Sequence, residues 1–441
     1  MIKLCTPCMP TIQEAESDPS SAGKRALPPR STGRPFLPRR RPLSKRLLLL
    51  APLALGTGAQ ALPVDAHPTF PMPDGLEPTV EFWVNVFTLY STHQVIVHDS
   101  SRPWVIHEVL DFDQTVQWTH PPVRDAVRRS RTRFGHNARA QRGLRESFAG
   151  GIARSGRYLS YVRERFARLD LPEDLAYLPH VESSFQPDAR SSAACVGMWQ
   201  WSHGSGRNYL TIDRAVDERL DPWASTDAAA QHLSDNFRAL GTWPLAITAY
   251  NHGVAGMRRA SRKFGTEQFD QIIQGYQSRT FGFASKNFYA EFLAAVHVAQ
   301  NATHYFGPLP PASATPFGTI ELLDFLDAST LLEDFGLKES TIQHWNPGIR
   351  PSFFESGARL PRGYQLKLPA PEHSRVAAAY EALPPHKRHR EQARTSFHVV
   401  RSGESLSGIA QRHRTTVGNL TTLNQLRNPD HIYHGQKLIL R

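Results

Sequence analysis

Apolar residues recur at helical spacing along the middle of the chain, from about residue 140 to 300. Leu233, Phe237 and Leu240 stand at positions i, i+4 and i+7, which places them on one face of a helix. Ser225 precedes this series and is a favoured N-cap residue. The pattern predicts a mainly α-helical central region, with one amphipathic helix beginning near Ser225.

Three more segments of this region follow the helical period. Phe148, Ile152 and Tyr158-Leu159 fit the apolar face of a single helix. The run 245–250 is apolar and ends before Gly253, a residue type that often ends helices. The run 288–300 is apolar on almost all sides, which predicts a buried helix.

The region before the helices has a different pattern. Residues 62–77 are rich in proline and are expected to form a spacer. Residues 78–115 carry apolar and aromatic runs, such as that from Val80 to Phe87, and this range has some strand character. The sequence therefore predicts an N-terminal spacer and subdomain over 62–139.

Two stretches near the C-terminus share one pattern: a helical segment, an asparagine, and a glycine followed by an apolar run. Asn346 and Asn424 are farther apart in the sequence than Gly363 and Gly435, so the first copy has a longer loop. The pattern predicts a degenerate copy over 317–369 and a second copy over 396–441. The segment 370–395 between them is basic and is expected to be a linker.

Basic residues are concentrated at the start of the chain. The formal net charge is +11, and residues 1–61 contain ten Lys or Arg against three acidic residues. The leader thus carries +7 and the rest of the chain only +4. A charge that small gives little support to a nucleic-acid partner.

The leader has the order of a secretory signal. Basic residues from Arg39 to Arg46 precede the short apolar run Leu47–Leu55, and small residues follow up to Ala59-Gln-Ala61. This order is typical of a cleaved signal peptide, and the apolar run is too short to span a membrane stably. We therefore expect residues 1–61 to be removed and the protein to be exported to the periplasm or cell envelope. The alternative is a disordered arginine-rich tail.

One carboxylate stands out because of its spacing. Leu175, Leu178 and Glu182 occupy positions i, i+3 and i+7, so Glu182 lies on the apolar face of a segment that Pro179 is expected to kink. Burial disfavours the ionised carboxylate and raises its pKa. A carboxyl group that is protonated near neutral pH can act as the general acid of glycosidic cleavage. The commoner alternative is a buried glutamate that pairs with arginine or caps a helix.

Metal-site motifs are incomplete. His180-Val-Glu182 has the H-x-E form of a zinc deaminase, but that motif needs a following P-C-x-x-C and only Cys195 lies downstream. His107-Glu108 lacks the second histidine of H-E-x-x-H, because Asp111 stands there. We expect no metal and no cofactor.

Three ordered blocks carry a family resemblance. They are Glu182-Ser-Ser-Phe-Gln-Pro-x-Ala-x-Ser191, Gly197-Met-Trp-Gln200 and Ala249-Tyr-Asn-x-Gly253. Together they resemble the soluble lytic transglycosylase family, which shares the goose-type lysozyme fold, and within it the membrane-bound murein transglycosylase D group. The resemblance implies a lysozyme-like lytic transglycosylase domain over 140–305.

The resemblance also implies a role for each matched position. Glu182 falls on the single catalytic acid/base, and the other positions fall on residues that bind the substrate. These are Ser191, which positions the muramyl unit; Met198 and Gln200, which line the saccharide groove; and Tyr250 and Asn251, which close the site over Glu182.

The chain departs from the family at two places. Ala194-Cys195 stands where the family usually has Gly-Ala, and this leaves the efficiency of the site open. His252 replaces a small residue and is expected to face the groove or solvent.

Other residues near the blocks have a functional and a structural interpretation. Three tryptophans could stack on sugar rings, but core packing explains each of them at least as well: Trp199, Trp201 and Trp243. Among the nearby acids we expect no second catalytic carboxylate. Asp221-Pro222 is typical of a turn or helix start, and Glu218-Arg219 of a surface pair.

The last copy has the strand–helix–helix–strand order of a small binding module. A strand, a turn and a helix are expected over 399–410, a second helix over 417–424, and a turn and a strand over 432–440. This unit closely resembles the LysM domain, so the copy over 317–369 is interpreted as a degenerate LysM-like unit. The resemblance implies binding of N-acetylglucosamine units at five positions: Gly403, Glu404, Ser405, Ile432 and Tyr433.

The sequence thus predicts a mainly α protein, in which a lysozyme-like helical catalytic domain precedes small βααβ LysM-type units. The resemblance implies cleavage of the β-1,4 bond between N-acetylmuramic acid and N-acetylglucosamine in peptidoglycan, with 1,6-anhydro-muramic acid ends. The expected partners are peptidoglycan glycan strands, with peripheral association with the cell envelope. Two alternatives stay open: a muramidase that uses water, and a wall-binding scaffold with an inactive catalytic fold.

Overall fold

The computed structural model describes residues 62–64, 68–116, 120–393, 397–424, 426 and 428–440. The predicted leader over 1–61 lies outside the described residues. Within the described ranges, none of the helices combines the length and the apolar composition needed to cross a membrane.

Most helices between residues 77 and 306 pack around one apolar core. They are α1 (Glu77–Thr88), α3 (Arg145–Ser155), α4 (Leu159–Ala167), α5 (Leu178–Glu182), α6 (His203–Gly206), α7 (Pro222–Leu240), α8 (Trp243–His252), α9 (Val254–Phe264), α10 (Phe269–Gly275), α11 (Phe283–Gln300) and α12 (Ala302–Phe306). Helix α11 packs against α1, α5 and α8, and 12 of its 18 residues are buried. The predictions of a mainly helical region and of a buried helix over 288–300 are confirmed.

Helix α1 includes the run from Val80 to Phe87, which lies in the range where some strand character was expected. Seven of its 12 residues are buried, and Trp83 Nε1 donates a hydrogen bond to Asn287 Oδ1 on α11 over 3.1 Å. The run itself is helical, with its polar residues Glu81 and Asn85 at positions i and i+4. The strand character expected over 78–115 is found farther along the chain, at 94–99 and 106–111.

Residues 94–142 form a small unit with a separate core. Strands β1 (Gln94–Asp99), β2 (Ile106–Asp111) and β3 (Ala138–Arg142) form an antiparallel sheet in the order β2-β1-β3, and α2 (Pro121–Phe134) packs on it. The sheet comes very close to the helical body at Gly143, where a Cβ atom would lie 2.3 Å from the Tyr90 carbonyl oxygen. This close approach fixes the end of β3 against the segment that follows α1.

The boundaries of two predicted helices differ from the expectation. Helix α7 is capped by Asp221, whose carboxylate accepts hydrogen bonds from the backbone N–H groups of Trp223 and Ala224. Ser225 is not the cap, because Asp221-Pro222 starts the helix one turn earlier. The single helix expected over 148–159 is two helices, α3 and α4. The end of α8 at Gly253, with φ +87°, is as predicted.

The C-terminal part contains two units. The first has β4 (Phe317–Glu321), β5 (Leu326–Asp327), α13 (Glu339–Trp345), α14 (Phe353–Ser356), β6 (Arg359–Leu360), β7 (Gln365–Pro369) and α15 (Ala370–Glu381); the second has β8 (Phe397–Val399), α16 (Leu406–Arg412), α17 (Val417–Leu423) and β9 (Lys437–Ile439). Their outer strands pair antiparallel, β4 with β7 and β8 with β9.

Each of the two units contains the same pair of hydrogen bonds, made by an asparagine side chain to the backbone of the last strand. Asn346 Nδ2 donates to the Lys367 carbonyl (2.9 Å), and Asn346 Oδ1 accepts from the Lys367 N–H (2.8 Å). Asn424 makes the same two bonds with Ile439, at 2.9 and 2.7 Å. The asparagines and their partners therefore follow the spacing of the sequence pattern, in which the first copy has the longer loop.

Residues 370–395, expected to be a basic linker, contain helix α15. Val376 and Tyr380 on this helix are buried in the core of the first unit, and Phe325 and His389 form a β-bridge. The expectation failed because the basic residues that follow α15 dominate the composition of this segment, whereas its apolar residues occupy one face of the helix.

The first C-terminal unit is joined to the helical body by buried ion pairs. Lys367 Nζ lies 2.7 Å from Asp221 Oδ2, with side chains 5% and 0% exposed. Arg350 Nη2 lies 3.2 Å from Asp217 Oδ2, which also binds Arg219. Both carboxylates therefore connect the base of α7 to this unit.

Candidate active site

Glu182 is the last residue of α5, a short helix that follows a 3-10 turn over Glu173–Tyr177. Leu175 and Leu178 are fully buried. Pro179 occupies the first turn of α5, where a missing N–H costs little, so it starts this helix and does not kink one. The apolar spacing places Glu182 toward the interior, as expected, and its side chain is 3% exposed.

The backbone turns sharply after Glu182. Ser184 and Phe185 both have positive φ angles, 52° and 58°. The Arg154 guanidinium on α3 donates to the Ser184 carbonyl through Nε (3.0 Å) and Nη2 (2.8 Å). These bonds hold a strained turn directly beside the carboxyl group.

The surroundings of the Glu182 carboxyl group favour its protonated form. Burial raises its pKa well above the ordinary value, and the neighbouring Glu291 carboxyl raises it further. Within the described part of the chain, buried Oε2 has no hydrogen-bond partner. The group can therefore carry a proton at neutral pH and present it to a bound molecule.

Glu291 is the carboxyl group that the sequence analysis missed. It lies on α11, is 5% exposed, and burial raises its pKa to about 8, an effect that the Arg139 guanidinium opposes. A signal was present, because Glu291 is the only acidic residue in the run 288–300. An acid in an otherwise apolar buried helix is an expensive placement and therefore indicates a functional site.

The two carboxyl groups line one cleft of about 320 Å³. Its wall combines α5 and α11 with aromatic residues of α1 and polar residues at the end of β3. The lining includes Glu182, Glu291, Trp83, Phe87, Phe283, Arg139, Gln141 and Arg142. The N-terminal sheet thus contributes to the cleft, which the sequence did not predict.

The block Gly197–Gln200 forms a tight turn behind Glu182. A Cβ at Gly197 would lie 1.8 Å from the Arg219 carbonyl oxygen, so only glycine fits. Gln200 has φ +49°, and its Nε2 donates to the Gly197 carbonyl over 2.9 Å. Met198 is buried, and its carbonyl accepts a hydrogen bond from Ser183 Oγ at 2.7 Å.

The block 249–253 packs onto the same turn. Tyr250 Oη donates to the Trp199 carbonyl over 2.9 Å. Burial raises the pKa of Tyr250 well above its ordinary value, and Glu182 adds to this rise, which indicates that the two side chains are close. Asn251 Oδ1 accepts from Ser285 Oγ on α11 at 2.8 Å.

Ser191 lies in the loop before that turn, where its Oγ accepts from the Cys195 N–H at 3.0 Å. In the described part of the chain the cleft lining consists of other residues than the five substrate-binding candidates. These five are Ser191, Met198, Gln200, Tyr250 and Asn251.

Several residues near the site pack in the protein core, the structural role that the sequence analysis left open for the tryptophans. All three tryptophans are buried: Trp199, Trp201 and Trp243. His252 is also buried and packs on Phe281 with ring centroids 4.8 Å apart, so the expectation that it faces the groove or solvent was wrong.

Asp217 and Glu218 also lie away from the cleft. Arg219 is buried and pairs with Asp217 at 2.8 Å, whereas Glu218 accepts a hydrogen bond from the Thr211 N–H. The predicted Glu218–Arg219 surface pair is therefore wrong. Burial alone would raise the pKa of Asp217, but Arg219 and Arg350 outweigh this effect, and the pKa is lowered.

In the last unit the five predicted glycan-binding residues divide into two groups. Glu404 accepts hydrogen bonds from His398 (2.6 Å), the Arg401 N–H (2.8 Å) and Arg412. Hydrogen bonding, first from His398, lowers the pKa of Glu404 to about 2. Ser405 caps α16, and Gly403 has φ +81°. These three residues build the turn.

The other two form the outer side of the same unit. Tyr433 is 68% exposed, and Ile432 packs partly against the core of the unit. Over the residues that the structure describes, no group of three or more His, Cys, Asp or Glu side chains could hold a metal ion.

Comparison with known proteins identifies two domains. The transglycosylase SLT domain matches residues 163–273, and the LysM domain matches residues 398–441. Residues of the described cleft on α5 fall within the first match, whereas β3 and α11 lie outside it.

Similar proteins include membrane-bound lytic murein transglycosylase D of Escherichia coli strain K12, 27% identical over 295 residues, which are 64% of this chain and 63% of the relative. A putative tributyltin chloride resistance protein of an Alteromonas species is 33% identical over 112 residues, which are 24% of this chain and 53% of the relative. This chain thus spans less than two thirds of the length of these relatives.

Among solved structures, an inactive mutant of the lytic transglycosylase Slt from Pseudomonas aeruginosa is similar, with 18% identity, a TM-score of 0.28, and coverage of 34% of this chain and 25% of the other. The match to the SLT domain shows that the helical body has a lysozyme-like fold. This chain contains an SLT transglycosylase domain and a C-terminal LysM domain, and it is homologous to membrane-bound lytic murein transglycosylase D.

Proposed function

We propose that this protein is a lytic transglycosylase, which cleaves the β-1,4 bond between N-acetylmuramic acid and N-acetylglucosamine in peptidoglycan. The observation that carries the proposal is the Glu182 carboxyl group, which lines the cleft, is 3% exposed and has a raised pKa. The SLT domain and the homologous murein transglycosylase support it.

The proposed mechanism uses one carboxyl group twice. Protonated Glu182 donates its proton to the glycosidic oxygen as the bond to the muramyl C1 breaks, and N-acetylglucosamine leaves with a free 4-hydroxyl. The oxygen of the muramyl 2-acetamido group stabilises the cation at C1. The Glu182 carboxylate then takes the proton of the muramyl 6-hydroxyl, whose oxygen bonds to C1. Glu182 is protonated again, and no water is consumed.

The neighbours of Glu182 support substrate binding in this proposal. Gln200 Oε1 is buried without a hydrogen-bond partner in the described residues, so it can accept a bond from a sugar hydroxyl or N–H. Tyr250, whose pKa Glu182 helps to raise, is anchored by its bond to the Trp199 carbonyl. In this proposal Met198 and Asn251 support the site from outside the cleft lining, and Ser191 positions the muramyl unit from the adjoining loop.

A muramidase is the second candidate, because the cleft holds a second carboxyl group. Hydrolysis in retaining or inverting glycosidases usually needs an ionised carboxylate as nucleophile or base. Glu291 has a pKa of about 8 and is mostly neutral at pH 7. It is therefore poorly suited to activate water, which favours the internal 6-hydroxyl.

We further propose that the protein acts outside the cytoplasm on the cell wall, as the predicted signal peptide and the LysM domain suggest. The homologue is named as a membrane-bound enzyme. Glycan strands are the proposed partner of both the cleft and the LysM domain.

The two C-terminal units are proposed to differ in glycan binding. When the units are aligned on their shared asparagines and glycines, Glu404 and Ile432 correspond to Leu326 and Leu360 of the first unit. Those two leucines pair as β5 and β6 and are fully buried. The two loops that would hold a glycan between them are thus joined to each other in the first unit. Binding is assigned to the last unit, where Tyr433 is exposed.

Removal of residues 397–441 should therefore weaken binding to insoluble sacculi by about 10²-fold or more, since a tethered module raises the effective concentration of the enzyme on the polymer. The measurement is a pull-down with Glu182→Gln chains, which do not digest the sacculi. The truncated active chain should cleave short soluble glycans at an unchanged rate. Equal pull-down of the full-length and truncated chains would contradict this assignment and would mean that the cleft or the unit over 317–369 binds the wall.

A further inference from the structure

Glu291 is a buried acid for which the one-carboxyl mechanism has no use. It lies on α11, a helix that is buried over most of its length. Its carboxyl group instead faces the cleft that holds Glu182. A buried acid at such a place is costly, and the cost calls for a function.

Arg139 is the cation that acts on Glu291. Its guanidinium packs over the Phe283 ring at 4.1 Å, and its Nε is buried without a hydrogen-bond partner in the described residues. Phe283 is the first residue of α11. Arg139 is therefore fixed on the first turn of the helix that carries Glu291, by stacking on a ring.

The arrangement of the three groups is asymmetric. Arg139 acts on Glu291, and Glu291 acts on Glu182. When two carboxyl groups in one cleft each hold a proton, the one whose charge a cation stabilises ionises first, and its charge then opposes ionisation of the second. The order of the groups thus decides which carboxyl group loses its proton first.

We propose that Glu291 is a positioning residue: with Arg139 of the N-terminal sheet, it takes the first negative charge of the cleft and so keeps the proton on Glu182. This rests on the proposed function of Glu182 as general acid. It also gives the N-terminal sheet a part in the reaction, because β3 carries Arg139.

The other charged and titratable groups near the pair do not replace this effect. From α3, Arg154 is bound to the Ser184 carbonyl; from β3, Arg142 lines the same cleft. On α5, burial lowers the pKa of His180 to about 3, so it is neutral. On α8, burial raises the pKa of Tyr250, so it is neutral as well. Glu291, whose pKa is about 8, is thus the acid of the cleft that ionises first on the alkaline side.

The expected pH effect has a definite sign. Below about pH 8 Glu291 is mostly neutral, so the effect of its charge belongs to the alkaline side of the rate profile. Above pH 8 the ionised Glu291 holds the Glu182 proton in the wild-type chain. Glu291→Gln removes that charge, so the alkaline limb of the rate profile should move about one unit lower in pH. Glu291→Asp keeps a carboxyl group and should retain most of the wild-type limb.

The test is a pH profile of cleavage for the full chain, Glu291→Gln and Glu291→Asp. Glu81→Gln, which changes an exposed carboxyl group on α1, is the matched control and should not move the profile. A wild-type alkaline limb in Glu291→Gln would overturn the proposal. So would a limb that moves equally in Glu81→Gln.

A second measurement needs no cleavage and separates this inference from the proposed function. NMR of the chain with ¹³C-labelled glutamate carboxyl groups follows both residues. The signal of each residue is assigned by its disappearance in Glu182→Gln or in Glu291→Gln. We expect the Glu291 signal to titrate first, near pH 8, and the Glu182 signal to titrate at lower pH once Glu291 is replaced. Titration of Glu182 first, or unchanged by Glu291→Gln, would refute the charge order. If the order is found but sacculi are not cleaved, only the proposed function fails.

Discussion

Replacing Glu182 with glutamine should lower the rate of sacculus clearing by about 10²–10⁴-fold, the usual contribution of general acid–base catalysis. Glutamine keeps the shape of the side chain but cannot deliver a proton to the glycosidic oxygen. Because burial and Glu291 already favour the neutral form of Glu182, a neutral amide should fit the site, and the fold should persist. Turbidity clearing and circular dichroism measure the two effects.

Glu173→Gln is the matched control for this variant. Glu173 lies at the start of the preceding 3-10 turn, is exposed, and pairs with Arg163 at the surface. It should clear sacculi at a near wild-type rate. Clearing by Glu182→Gln at the control rate would remove Glu182 from the mechanism, and an inactive wild-type chain would favour the wall-binding scaffold.

Lys367→Met should destabilise the protein by about 3–5 kcal/mol, the range for breaking a buried ion pair from one side. The change leaves Asp221, which is 0% exposed, without its cation. It also weakens the junction between the first C-terminal unit and the start of α7. Chemical denaturation followed by tryptophan fluorescence measures the free energy of unfolding.

Two variants show whether the loss comes from the buried charge. Lys387→Met removes a more exposed partner of Asp334 in the same unit, and surface pairs contribute only about 0–1 kcal/mol. Adding Asp221→Asn to Lys367→Met should recover part of the lost stability, because asparagine removes the unpaired charge and can still cap α7. Equal losses for Lys367→Met and Lys387→Met would show that the buried pair does not hold the junction.

The sequence predicted the features that depend on local spacing. The helical period places Glu182 in the interior, and the asparagine and glycine spacings of the two C-terminal stretches correspond to one shared hydrogen-bond network. Local spacing was misjudged for α1, where the many apolar residues outweighed the helical spacing of Glu81 and Asn85. It also failed for residues 370–395, where basic residues masked the apolar face of α15.

The second carboxyl group of the cleft could not be found in the same way. Glu291 and Glu182 lie far apart in the sequence, and Arg139 comes from a sheet that precedes the matched blocks. Only the packing of α5, α11 and β3 brings them to one cleft. Nothing in the spacing of these residues indicates that contact, although a lone acid in an apolar helix indicates that Glu291 has a role.

The product of digestion tests the central claim most directly, because the two enzyme functions share Glu182 and differ only in the nucleophile. A well-oriented internal hydroxyl can reach effective molarities of about 10⁵ M or more, above the concentration of bulk water. Mass spectrometry of sacculi digested by the full chain should therefore show muropeptides that end in 1,6-anhydro-muramic acid, each one water lighter than the hydrolysis product. Muropeptides that end mainly in reducing muramic acid would contradict the account and make the protein a muramidase.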